Sequence, residues 1–197
     1  MREVVEKNNI EAIKKWLGNG SINIFGLPFS GKDTHGHILA KLLGGEVIGG
    51  GDILRSEHGP QHIKDHIATG ALAPTDEFLE IVLPYLSKDK YKNKPLILST
   101  VGRWHGEESS VLRAAEESGH PIKAVVFLHI PKQEVIRRHG LSQSLEDRGQ
   151  RHDDHERSLQ KRFEEFEQKT LPVIEHYRQA GLLLEIDGSP PISEVKL

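Results

Sequence analysis

The stretch Ile22–Thr34, INIFGLPFSGKDT, decides how the rest of the chain is read. Ile22, Ile24 and Phe25 form a short apolar run that stops at Gly26, and Gly31-Lys32 follow after four intervening residues, Pro28 and Ser30 among them. That spacing belongs to a phosphate-binding loop between a buried strand and a helix. Glycines let the backbone curl until successive N–H groups converge on phosphate oxygens, where a Cβ would obstruct them. The following helix adds the positive end of its dipole, and Lys32 adds a full charge. Ile38, Leu39, Leu42 and Leu43, stopped at Gly44, supply the expected amphipathic helix. Thr34 closes the stretch, and Asp33 occupies the slot where the general pattern has Ser or Thr.

Upstream, Ile10, Ile13, Trp16 and Leu17 recur at helical spacing. They predict an N-terminal helix within residues 1–20, capped by Asn8 or Asn9, ended by Gly18 and packed on the sheet or its edge. Downstream, residues 46–48, 94–99, 122–130 and 182–186 read as buried strands. Helical patterns fall between them at 52–91, 107–118, 131–139 and 153–179. Pro60 marks a helix start in the first of these, and a bend is expected near Pro172. Residues 140–150 read as a polar loop, and a short helix is expected after Gly188. Apolar strands alternating with helices predict an α/β fold with a five-stranded parallel sheet covered on both faces. Such sheets bind ligands at the carboxyl ends of their strands, where Gly26, Asp52, Ser99 and Arg103 all fall.

Composition narrows the function. The 197 residues are 36% hydrophobic and 28% charged, which suits one globular domain, and the formal charge of -3 advertises neither nucleic acid nor an anionic membrane as partner. The chain has no Cys, so disulfides, thiolate metal sites and a Cys nucleophile are excluded. Neither a membrane-spanning run nor a signal-peptide core is visible, and a monomer in the cytoplasm is expected. His62 and His66 stand four apart on one helix face but lack a third ligand nearby, which favours a solvated face.

From Ile22 to about Val195 the chain resembles the adenylate kinase family of nucleoside monophosphate kinases, in its short-lid form. The matching pieces, in order, are GLPFSGKDT, GGGDILR, the GALAP turn, LILSTVGR, GQRHDD with Arg162 following, and TLPVIEHY. The resemblance implies a P-loop fold that transfers the γ-phosphoryl of ATP, with Mg²⁺, to a nucleoside monophosphate held by a helical insert at residues 52–91. A short lid lies at 139–152. It implies that Arg55 and Arg103 grip the acceptor phosphate and that Arg151 and Arg162 close on the transferring phosphoryl. Lys32, Arg103, Arg151 and Arg162 are then the catalytic cations. Gly50, Asp52, Leu72, Ala73 and Glu107 surround the acceptor. The loop residues, Arg138 (over the ATP base, unless Arg137 takes that role) and Gly188 serve ATP. Asp153 and Asp154 tie the lid to the body, and Arg148 is a candidate for a lid arginine expected at Ser142.

Four positions depart from the family pattern. An Asp that holds Mg²⁺ through water at the end of the third strand is here Ser99, and a Gly after the loop lysine is Asp33. A carboxylate facing triphosphate is repelled unless it turns outward or binds the cation, so Asp33 is the candidate metal ligand. A Thr beside the acceptor base is Gly50, and an adenine-reading Gln is Glu107. An ionised Glu only accepts hydrogen bonds; adenine offers it one amino group, guanine an N1–H and an amino group side by side. AMP is the expected acceptor, with GMP or another monophosphate as alternatives. Two other readings stay open: a phosphate-loop kinase of a different small molecule, and a nucleotide-binding sensor with weakened catalysis.

Overall fold

In a computed structural model, which describes residues 2–57, 59–145, 156–191 and 194–195, the chain builds a five-stranded sheet. The strands are β1 (Ser21–Gly26), β2 (Glu46–Gly49), β3 (Leu96–Ser99), β4 (Ile122–His129) and β5 (Leu183–Asp187). Their order is β2-β3-β1-β4-β5, and every neighbouring pair is parallel. The α/β reading of the sequence therefore holds, and so does the five-stranded parallel sheet.

Side chains that alternate along the strands feed two cores. Phe25, Leu96, Leu98, Val125 and Phe127 pack on one face against Val111, Phe166, Val173 and Tyr177. Ile22, Ile24, Ile97, Ala124, Val126 and Leu128 meet Leu17, Ala40 and Leu43 on the other. Both faces are covered, as a parallel sheet requires.

Helices α1 (Arg2–Leu17), α2 (Lys32–Leu43), α3 (Gly50–Arg55), α4 (Gln61–Ala68), α5 (Thr75–Val82), α6 (Glu107–Glu117), α7 (Lys132–Leu145), α8 (Glu156–Glu165) and α9 (Leu171–Gln179) complete the described elements. None is long and apolar enough to cross a membrane among the described residues.

Two local expectations are corrected. α1 begins at Arg2, so Asn8 and Asn9 lie inside it: a run of ordinary helix formers outweighs the capping preference of Asn. Among residues 9–17 of this helix Leu17 is the buried one, while Ile13 and Trp16 stay 39% and 49% exposed. α7 continues through Gly140 to Leu145, because an isolated interior Gly weakens a helix by only about 1 kcal/mol; residues 146–150 lie outside the described ones. The short helix expected after Gly188 falls partly on residues 192–193 and 196–197, outside the described ones; of the rest, the Glu194 and Val195 N–H groups donate to the Pro191 carbonyl. The expected bend near Pro172 has its cause one turn earlier. A π-turn at Phe166–Thr170 joins α8 to α9 and accommodates the missing proline donor.

One buried polar residue organises the exit from β3. Asn23, fully enclosed in β1, donates its amide to the Val101 carbonyl at 2.8 Å and accepts the Val101 N–H at 3.2 Å. The side chain thus prolongs the β1–β3 ladder by one rung. Thr100, between that rung and the strand, is held at φ 53°, a left-handed conformation unusual for a β-branched residue. Its N–H and hydroxyl both donate to the Ile24 carbonyl.

Candidate functional site

The carboxyl ends of β1, β2 and β3 open into a cleft of about 1180 Å³ including its mouth. Its floor is the loop after β1. Gly26 sits so tightly that an added Cβ would come 2.4 Å from Ser30 Oγ and 3.0 Å from the Leu128 carbonyl. Gly31 takes φ 92°, which side-chain-bearing residues rarely adopt, and starts α2. Ser30 is buried and its hydroxyl has no hydrogen-bond partner among the described residues. Pro28, Lys32 and Asp33 face the cleft, whereas Thr34 is exposed and absent from its lining. Below the loop, buried His35 is pushed toward its neutral form by burial and by the Arg138 charge.

Arg138 and Gly188 support this floor from behind. The Arg138 guanidinium donates to the carbonyls of Phe29, Gly188 and Ser189 at 3.1, 2.8 and 2.9 Å, and to Glu134 at 2.7 Å. Arg137 instead pairs with Glu134 at the surface. The two arginines together hold that carboxyl down to about 2. Gly188 donates to the His129 carbonyl, and an added Cβ there would come within 3.1 Å of the Ile130 side chain and 3.3 Å of the Ser30 carbonyl.

The far wall gathers Gly50, Asp52, Arg55, Leu72, Ala73, Phe78, Arg103, Trp104, Glu107 and Arg162. Arg55 pairs with Asp52 at 2.6 Å, one turn earlier on α3. Arg103 lies deep among protein atoms with one face on the cleft. Burial, then the nearby Arg162 and Arg55 charges, push it down to about 10 against the opposing pull of Asp33 and Glu107. Guanidinium groups crowded this way form a ready site for an anion with many oxygens. Arg151, Asp153, Asp154, Arg148 and His152 lie outside the described residues.

Glu107 opens α6 and is almost wholly buried. Its Oε2 accepts the N–H groups of Arg103 at 2.7 Å and Trp104 at 3.0 Å, closing the loop after β3 on itself. Oε1 has no hydrogen-bond partner among the described residues, although the Thr75 hydroxyl is near enough to favour the ionised form. Burial dominates and raises the carboxyl above its ordinary value. Gly50 faces the Phe78 ring, which an added Cβ would approach to 3.1 Å, so the aromatic side chain fills space that a larger residue at 50 would need.

Trp104, like Phe78, is a wall residue that sequence reading missed. Its indole N–H donates to the Ala73 carbonyl at 3.0 Å, and Lys169 stands 3.7 Å over its ring. A Trp directly after the motif arginine was the available signal. His66 turns to the Leu72 carbonyl at 3.0 Å, and among the described residues no cluster of three or more His, Cys, Asp or Glu could hold a metal.

Comparison with known proteins agrees with this geometry. The sequence pattern of the family described as adenylate kinase matches residues 24–182. Adenylate kinases of Thermus thermophilus and Dehalococcoides mccartyi are each 28% identical over 89% of this chain and 92% and 94% of their own lengths. That of Syntrophotalea carbinolica is 29% identical over 88% of this chain and 93% of its own. A phosphate loop opposite a wall of arginines, on a parallel sheet whose sequence matches this family over most of its length, places the chain in the adenylate kinase family of nucleoside monophosphate kinases.

Proposed function

We propose that the protein transfers the γ-phosphoryl of ATP to AMP, reversibly, giving two ADP. The observation that carries this reading is one cleft lined by Lys32 and the glycine loop on one side and by Arg55, Arg103 and Arg162 on the other. Two phosphate chains can meet there end to end. Phosphoryl transfer asks a protein mainly for positioning and for cations around the moving charge, and no nucleophilic side chain is needed. Lys32 and the loop N–H groups hold the donor phosphates. Arg55 and Arg103 hold the acceptor phosphate, and Arg162 faces the space between, with Arg151 assigned to the same task. Magnesium, when bound with ATP, neutralises charge on the donor phosphates.

The choice of AMP rests on Glu107. A carboxylate with both oxygens open would suit guanine, whose N1–H and 2-amino group donate side by side. Here Oε2 already takes two backbone N–H groups, and Oε1, buried near the Thr75 hydroxyl, is the one oxygen left that a base could reach. One acceptor matches one donor, the 6-amino group of adenine.

A coupled assay of ATP and Mg²⁺ against AMP, GMP, CMP, UMP and their deoxy forms tests this. The highest kcat/KM is expected with AMP. A higher value with another monophosphate removes AMP and keeps the kinase. Turnover of none of them, with ATP still bound, would establish the sensor reading instead.

A further inference from the structure

We infer that Asp33, held inward by Ser99, is the carboxylate that takes the divalent cation of the bound nucleotide. This rests on the phosphotransfer reading and deepens it.

Asp33 and Ser99 stand 66 positions apart, yet the Ser99 hydroxyl donates to Asp33 Oδ1 at 2.6 Å. Ser99 is the last residue of β3 and is buried; Asp33 is the second residue of α2. Both line the cleft beside Gly26 and Lys32. A carboxylate in the first turn of a helix gains from the dipole wherever it points, so the dipole does not explain an inward rotamer. The hydroxyl from β3 does. It turns the side chain off the exposed side, where the next residue, Thr34, lies, and onto the cleft.

In that position the carboxylate adjoins the lysine that meets the donor phosphates. Phosphate oxygens and a carboxylate share a pocket only with a cation between them. Before nucleotide arrives, Arg103 feels the Asp33 charge as a favourable partner. Once phosphates occupy the arginines, a divalent ion supplies counter-charge between the carboxylate and the phosphate oxygens. Hard oxygen donors select Mg²⁺ or Mn²⁺, and these ions keep most of their waters, so one carboxylate with phosphate oxygens suffices without a protein cluster. The same logic explains why β3 ends in Ser. A second carboxylate there would repel Asp33, whereas a hydroxyl donates to it and fixes its direction. Ser99 is then a positioning residue acting through Asp33.

ATP binding measured by calorimetry with Mg²⁺ and with chelator, on the full chain, separates the cation role from a simple counter-ion to Arg103. The wild type should bind ATP with Mg²⁺ at least about tenfold tighter than metal-free ATP. Asp33→Asn should bring the two within about twofold, by weakening the first and tightening the second. Ser99→Ala should lose part of the preference and Ser99→Thr should retain it. The exchange Asp33→Gly with Ser99→Asp should restore part of it. Water-proton relaxation with Mn²⁺ and ATP should be enhanced by the wild type and much less by Asp33→Asn. An equal factor on both ATP forms in Asp33→Asn, or a tenfold preference that survives it, overturns the inference and leaves the kinase reading intact. Failure of the wild type to bind ATP in either form would overturn both.

Discussion

On the loop side of the cleft, the groups that face a ligand come from one unbroken stretch, residues 26–33. On the far wall they come from α3, the turn at Leu72–Ala73, the segment after β3, α6 and α8. The loop works mainly through its backbone, so its composition is constrained and its shape is local. The wall works through side chains carried by separate elements, some of them tied together as Glu107 is to Arg103 and Trp104. The departures follow that division. The wall arginines stay in register with the family pattern, while Gly50 and Glu107, at the positions the resemblance assigns to the acceptor base, depart from it. Within the loop, the departure at Asp33 is tied to a second one on β3.

The difference can be broken most directly at Lys32. Lys32→Ala should lower kcat/KM by about a thousandfold with little change in Tm, since a cation at the reacting phosphates is lost and no core contact is. Turnover within about tenfold of wild type would remove Lys32 from the chemistry. On the wall, Arg103→Ala should raise the acceptor KM by about a hundredfold while ATP binding shifts by less than about threefold. Equal losses for both nucleotides would mean that Arg103 serves both sides of the cleft. The same guanidinium is crowded by like charges, so Arg103→Met should show the same rise in acceptor KM yet melt at or a few degrees above wild type, by about 1 kcal/mol.

Base recognition should respond more gently. Glu107→Gln keeps a carbonyl for the two backbone N–H groups and turns an N–H toward the base. That takes away the acceptor for the 6-amino group of adenine, so the AMP-to-GMP ratio of kcat/KM should fall by about three- to tenfold. Burial raises the Glu107 carboxyl, so in the wild type the acceptor oxygen is protonated as pH falls through that raised value. The AMP KM should therefore climb on acidification before ordinary carboxylates titrate, and the Gln variant should not follow it. Trp104→Phe, which removes the hydrogen bond to Ala73 and shrinks the ring under Lys169, should raise the acceptor KM by about two- to threefold. An unchanged KM would make the indole N–H a spectator.

The sequence was informative where chemistry is contiguous. Gly26 to Lys32 disclosed the loop, and uninterrupted apolar runs disclosed the strands. Register with the family pieces located Arg55, Arg103 and Arg162 on one cleft. What stayed hidden depends on three-dimensional pairing. No spacing rule connects Ser99 to Asp33, or tells that one oxygen of Glu107 is consumed by the backbone of Arg103 and Trp104. Asn23 was equally silent, since a single amide within an apolar strand looks like an interruption until its partner, Val101, is known. The end of α7 was misjudged because Gly140 resembles a stop signal, and nothing local distinguishes a tolerated interior glycine from a terminus.

The Asn23 rung also bears on movement. Because that amide fastens Val101 to β1, the segment carrying Arg103 belongs mechanically to the sheet. Arg55 and Arg162 ride instead on α3 and α8, outside the strand framework. Arg103 is thus a fixed post, and any closure of the cleft carries the other cations toward it. Amide exchange can register this. The Val101 N–H, although outside any strand, should exchange about as slowly as its neighbours in β3, with or without nucleotide. The amides of α3 should slow only when the cleft is filled.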